Sequence, residues 1–179
     1  INAARIMAEE GISDYYTAKR KAAERLGISN TQNMPRNSEI EQALSEHQQL
    51  FRAHIQPVHL KQLREMALKI MQFLEHVNPQ LVGPVLRGTA DAYSSINIHV
   101  FTDAPEEVGF LLMNEDIPYE LNDKRYNQAK RGTDIYPCYQ FIAEDTGIEL
   151  TVFPVNGIRQ APPSPVDGKP MERATITTV

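Results

Sequence analysis

The run Ser95-Ile96-Asn97-Ile98-His99-Val100-Phe101 alternates polar and apolar residues. In an extended strand that alternation puts Ser95, Asn97 and His99 on one face and Ile96, Ile98 and Val100 on the other. A second run, 148–153, sets Glu149 and Thr151 opposite Ile148, Leu150 and Val152. If these two strands lie near each other, their hydroxyl, amide, imidazole and carboxylate groups converge into one patch able to hydrogen-bond a polar ligand. His99 has the chemistry to bind a phosphate or to move a proton, although spacing alone identifies no carboxylate beside it. The plain alternative is a half-solvated sheet, with its apolar face on helices and its polar face in water.

A second source of chemistry is the basic stretch Lys124, Arg125, Lys130 and Arg131, flanked by Tyr126 and Tyr136. Cations interleaved with aromatic rings suit phosphates or single-stranded RNA, while a lysine-rich loop equally serves to keep a surface soluble. His47, His54, His59 and His76 fall in the helical half without a regular metal-binding spacing, because Pro57 breaks the chain between His54 and His59. They read as surface or partly buried histidines. Cys138, the one cysteine, has no local catalytic signature and reads as a small core or sheet residue.

The elements that must position these groups follow from periodicity. Residues 2–10 read as a helix with Ala3, Ile6 and Met7 on one face, ended by Gly11. A second helix, 14–26, is expected to be capped by Ser13 and stopped by Gly27. Residues 27–37 form a polar connector. Ser38 and Glu41 then have the spacing of a capping box, followed by a helix over 38–54 with Ile40, Ala43, Leu44, Leu50 and Phe51 on one stripe. Pro57 suits the first turn of the next helix, 57–77, where Leu60, Leu63, Ala67, Ile70, Leu74 and Val77 recur at three- and four-residue steps.

Near residue 80 the period changes. The stretch 81–87 reads as an edge strand because of Pro84, 88–94 as a turn and 95–101 as a strand. A helix over 104–114 is expected to be capped by Asp103. Strands follow at 117–125, 135–142 and 148–153, the last two joined by a turn at Glu144-Asp145-Thr146-Gly147. The tail holds Pro162, Pro163, Pro165 and Pro170, too poor in donors for a regular element. The expected class is therefore α/β in the α+β sense. A helical N-terminal region, 1–54, precedes an α/β unit with a mixed sheet, 55–155, and a Pro-rich C-terminal tail, 156–179.

Val85-Leu86-Arg87-Gly88-Thr89, followed by Ser95-Ile96-Asn97-Ile98-His99, resembles the signature of the nucleotidyltransferase fold. That family has a strand ending in Gly-Ser, a strand carrying Asp-x-Asp and a third acidic residue on a later strand. The likeness covers about 58–153. It implies that Gly88 and Thr89 stand at the phosphate-contacting Gly-Ser and that Ser95 and Asn97 stand where the first two metal-binding aspartates would be. Glu149, or Thr151, falls at the third acidic position. The whole chain also resembles a bacterial protein family to which no reaction is assigned. Two-metal transfer needs carboxylates, because hard divalent cations take anionic oxygen ligands. With Ser95 and Asn97 in those places, the resemblance implies a catalytically degenerate member that uses no metal or other cofactor.

The expected ligand is a nucleotide, RNA or protein, with Gly88, Thr89, Ser95, Asn97, His99, Glu149, Thr151, Lys124 and Arg125 as candidate binding residues. One alternative is an adaptor or homodimer built through the helical half, with the sheet as scaffold. The other is an active transferase with an unusual site. The opening segment 3–30 resembles the start of helix-turn-helix repressors, but a recognition helix would have to follow Gly27, where Asn30 to Asn33 and Pro35 make a poor helix. Together with a net charge of −5, this argues against DNA as a partner. No apolar run approaches the roughly 18–20 residues that cross a bilayer. A single cysteine fits a reducing compartment, so a cytoplasmic protein is expected.

Overall fold

Leu63, Ala67, Met71, Leu74 and Val77 are all buried and line one side of a single helical run. That stripe is the floor on which the second half of the chain assembles. In the computed structural model, which describes residues 1–28, 34–52, 56–128 and 132–179 and the side chains of all these except 48–52, 56 and 128, the stripe belongs to helix α4, Gln56–Phe73, and a 3-10 turn, Glu75–Val77. Asn78 closes the turn in the left-handed region, at φ 49°.

Ahead of α4 come α1 (Asn2–Glu10), α2 (Tyr15–Arg25) and α3 (Asn37–Arg52). They share a small core of their own, built from Ala3, Ala4, Ile6, Met7, Ala18, Ala22, Ile40 and Leu44. The small alanines let the three helices approach closely. Two caps differ from expectation. Asp14, not Ser13, caps α2, its carboxylate accepting from the Thr17 N–H at 2.7 Å. At α3 the carboxylate that turns back is that of Glu39, which accepts from the Arg36 N–H at 2.7 Å and so frees Glu41 for other work. The side chains of Leu50 and Phe51 lie outside the described set, as does all of His54.

Among the described residues the sheet has five strands, in the order β1-β2-β5-β4-β3. These are β1 (Gln80–Val82), β2 (Ile96–Phe101), β3 (Glu120–Gln128), β4 (Gly132–Ala143) and β5 (Thr146–Phe153). Strands β2 and β5 run parallel, and every other pairing is antiparallel, so the sheet is mixed. Its apolar face carries Leu81, Ile96, Ile98, Val100, Ile148, Leu150 and Val152, packed with the α4 stripe and with Val108 and Leu112 of α6 (Glu106–Asn114). The expected class is what the chain forms.

The stretch read as a strand over 81–87 is instead split. Strand β1 stops at Val82, and Gly83–Arg87 forms the short helix α5. Gly83 turns the chain at φ 76°, and Pro84 sits in the first turn, where its missing N–H leaves no hydrogen bond unmade. Pro84 thus marks a helix start rather than a strand edge. At α6 the cap expected of Asp103 is not formed: Pro105 stands at the N-cap without a side-chain hydrogen bond, and Thr102 Oγ1 accepts from the Ala104 N–H just before the helix and donates to Glu107 in its first turn. Asp103 accepts from the Val155 N–H instead. The Pro-rich tail is irregular, yet it returns to the core: Ala174 exchanges both backbone hydrogen bonds with Leu81 and is buried. Among the described residues no helix is long and apolar enough to cross a membrane.

Because the α4 stripe is covered by its own sheet, Leu63→Asp should abolish the cooperative unfolding transition in denaturant. The lost burial alone is worth about 1.5–3 kcal/mol, and an unpaired charge in that core adds to it. A stripe serving as a subunit contact would leave a folded monomer, which sedimentation with circular dichroism would reveal.

Candidate functional site

Parallel pairing of β2 with β5 sets Asn97 opposite Glu149 and His99 opposite Thr151. Across β5, strand β4 places Gln140 beside Glu149 and Cys138 beside Thr151. Directly opposed residues share a face, so the polar groups form a continuous patch. The patch is half-buried: Asn97, Gln140 and Glu149 keep part of their surface, while His99 and Thr151 are buried. The α1–α3 layer lies above, and a cavity of about 280 Å³ remains between that layer, the sheet and the C-terminal segment. This falls near the lower end of small-molecule pockets, roughly 300–1,000 Å³.

Three polar networks set the electrostatics of the cavity. The first joins the helical layer to the sheet. The Glu41 carboxylate of α3 accepts from Arg87 Nε at 3.1 Å and from the Thr89 hydroxyl at 2.8 Å, and its second oxygen accepts from the Tyr15 hydroxyl. Glu41 and Arg87 keep only 14% and 25% of their side-chain surface exposed, so the pair is held largely away from water. Burial, and then the Glu41 carboxylate, push the Tyr15 hydroxyl above the ordinary tyrosine range. It remains a donor.

The second network crosses the sheet. Lys124 Nζ donates to Glu149 at 2.6 Å, and Gln140 donates to the other Glu149 oxygen at 3.4 Å. The third surrounds His99, which is 1% exposed. Its Nδ1 accepts from Arg173 Nε at 3.0 Å, and its Nε2 lies 3.2 Å from the Tyr126 hydroxyl. An arginine N–H only donates, so Nδ1 must be bare and the proton sits on Nε2, directed at Tyr126. Burial, then Arg173 and Lys124, hold the imidazole neutral well below the usual histidine range. Arg173 is fixed in turn by the Gly157 carbonyl at 2.9 Å and by the rings of Phe101 and Phe153.

Most of the residues expected at a site do meet. Thr89, Ser95, Asn97, His99, Lys124, Glu149 and Thr151 all line the cavity. Gly88 stands behind them as the left-handed cap of α5, at φ 80°. Arg125 does not join them: alternation along β3 turns it away from Lys124, opposite Ile135, and it is exposed. Lys130 and Arg131 lie outside the described residues. Cys138 is buried beneath the site, with its Sγ 3.8 Å from the Thr151 hydroxyl, and burial raises its thiol.

Tyr15, Glu41, Arg87 and Arg173 are not among the site candidates that spacing offers. The capping-box spacing gives Glu41 a helix-capping role, yet it follows Ile40 and lies one turn before Leu44, both of which are buried. An acidic residue on the border of an apolar stripe was the available signal. Arg87 stands directly before Gly88-Thr89. Arg173 carried no signal, because it reaches His99 across 74 residues.

The carboxylates at the cavity already have donors: Glu41 and Glu149 as above, and Asp91 from the Tyr93 N–H and the Ser94 hydroxyl, both at 2.9 Å. Among the described residues no group of three His, Cys, Asp or Glu side chains is placed to hold a metal ion. Compared with protein-family models, with curated proteins and with solved structures, the chain gives no match.

The His99 network generates a pH dependence. In the unfolded chain the imidazole takes a proton near 6.5, whereas in the folded protein it stays neutral to much lower pH. Between those values the unfolded state binds more protons, so acidification favours unfolding. Stability is expected to hold above about pH 7 and to decline below pH 6.5, by at most about 1.36 kcal/mol per pH unit from this group. His99→Gln should flatten that slope in urea titrations run from pH 7.5 to 5. An unchanged slope would mean that His99 is not the group responsible.

Proposed function

We propose that this protein binds a nucleoside-bearing ligand (a free nucleoside, a nucleotide or the end of an RNA) in the cavity over β2 and β5, and that it does not carry out nucleotidyl transfer. The observation that supports this most is the commitment of the cavity's carboxylates to donors within the chain. A transferase would need them free to bind cations at the middle of the sheet. At those middle positions stand Ser95 and Asn97, whose neutral oxygens hold divalent ions poorly against hydration.

What remains is the chemistry of recognition. Asn97, Ser95 and Thr151 offer neutral donors and acceptors, and Tyr15, Tyr93 and Tyr126 give the walls aromatic surface. Such a mixture suits a ring edged with polar groups and a sugar bearing hydroxyls. On this reading the likeness to nucleotidyltransferases is one of fold, with the catalytic metals lost. The protein would work in a bacterial cytoplasm, where a single buried thiol such as Cys138 stays reduced. The adaptor alternative needs an outward apolar stripe on α4, and the burial of Leu63, Ala67 and Met71 speaks against it.

Calorimetry with nucleosides and nucleotides, with and without Mg²⁺, tests the reading beside a labelled-nucleotide incorporation assay. Binding should be independent of magnesium, and incorporation should stay at background. Lys124→Ala should weaken binding by roughly tenfold or more if its ammonium touches the ligand, the value of a hydrogen bond to a charged group. Asn97→Ala should weaken it by roughly two- to tenfold. Magnesium-dependent incorporation that vanishes in Glu149→Gln would overturn the proposal.

A further inference from the structure

The Glu41 carboxylate occupies a seat made of three donors drawn from separate parts of the chain. Tyr15 comes from α2, Arg87 from the end of α5 and Thr89 from the turn that follows. An arginine N–H and two hydroxyls converging on one point form a set that suits the oxygens of any small oxyanion, a phosphate or a carboxylate alike. Here the protein supplies the anion itself, from a helix of the overlying layer.

The rest of the cavity offers an incoming anion no better place. Its second cation, Lys124, is engaged by Glu149 at 2.6 Å. The charged side chains that line it are two cations, Arg87 and Lys124, and three carboxylates, Glu41, Asp91 and Glu149. This excess of one carboxylate among the lining side chains disfavours a further anion, and the Arg173 guanidinium behind His99 offsets part of it. Displacing Glu41 would also undo its contacts to Arg87 and Thr89, which tie α3 to the α/β part of the chain.

We propose that Glu41 is a specificity-determining residue: a built-in anion that fills the oxyanion seat, so that the cavity takes the uncharged nucleoside part of a ligand and turns phosphorylated forms away. This narrows the ligand-binding reading given above, setting aside its nucleotide option, and rests on it for the identity of the neutral ligand. Selection works by occupancy and by charge. A neutral ligand meets Asn97, Ser95 and Thr151 without disturbing any ion pair, whereas a phosphate must break one. The arrangement also explains why an acidic side chain is held with so little exposure over a threonine and an arginine.

The test uses the whole protein and its Glu41→Gln variant. Glutamine has the same shape: with its carbonyl at the Oε1 position it still accepts from Thr89 and Arg87, and its amide N–H can donate to the Tyr15 hydroxyl oxygen, which turns from donor to acceptor, so the fold is expected to persist; Glu41→Ser serves the same purpose should glutamine not be tolerated. Each is titrated calorimetrically with inorganic phosphate, with the four common ribonucleosides and with their 5′-monophosphates. The wild-type protein should prefer a nucleoside over its monophosphate by at least about tenfold, the scale of one hydrogen bond to a charged group. The variant should reduce that preference by a similar factor and should gain phosphate binding. Adding Arg87→Gln to the variant should remove the gain. Wild-type protein that binds phosphate or monophosphates as tightly as the variant would overturn the proposal. Should no nucleoside bind, the ligand-binding reading fails, while a gain or lack of gain in phosphate binding still decides the role of Glu41.

Discussion

Parallel pairing of β2 with β5 is the constraint on which the rest of the structure depends. Both strands alternate up to their final Phe, so one register sends Ile96, Ile98, Val100, Ile148, Leu150 and Val152 together to the α4 and α6 side. The same register sends Asn97, His99, Glu149 and Thr151 together to the other side. A slip of one residue would place the isoleucines under the helical layer and the polar groups in the core. Burial of the aliphatic face therefore fixes the polar face, and the cavity is assembled by a hydrophobic requirement acting on the opposite side of the sheet.

Burying part of that polar face has a cost that the networks offset. A buried polar group left without a partner loses hydration and gains nothing in return. His99 is accordingly held from both ring nitrogens, by Arg173 and Tyr126, and Glu41 from three donors. These contacts do more than satisfy individual atoms. Glu41 joins α2 and α3 to the α/β part of the chain, and Arg173 joins the C-terminal segment to the centre of the sheet. Gly11 adds a close steric fit, since a Cβ there would lie 2.8 Å from the Tyr93 ring. The helical layer and the sheet keep separate apolar cores, so the seam between them is largely polar. A polar seam is where a cavity with hydrogen-bonding walls can form.

These features bear directly on the proposed chemistry. Activated groups in enzymes are generally poised, with a base free to accept or an acid free to give. In this cavity the imidazole has both nitrogens engaged, and the carboxylates have donors. On the reading proposed above, such an arrangement recognises shape and hydrogen-bond pattern. The role given to Glu41 extends that logic, because an occupied oxyanion seat leaves the neutral groups to choose the ligand.

Local sequence determined the class of the fold and most of the candidate patch. The three- and four-residue steps from Leu60 to Val77 could only bury as a helix, and the alternation in 95–101 and 148–153 fixed which side chains share a face. That Asn97, His99, Glu149 and Thr151 would converge followed once both strands joined one sheet. Other features were decided only by tertiary structure. Val85 and Leu86 suit a strand as well as a helix, and the turn at Gly83 resolved that choice. Lys124 and Arg125 are adjacent and alike in charge, and only the pairing of β3 with β4 decided which would face the cavity. Glu41 and Arg173 meet partners 48 and 74 residues away. Periodicity reports the face on which a side chain lies, because that is a property of neighbouring dihedral angles. The partner it meets depends on where the chain returns, and that is set by the packing of the whole core.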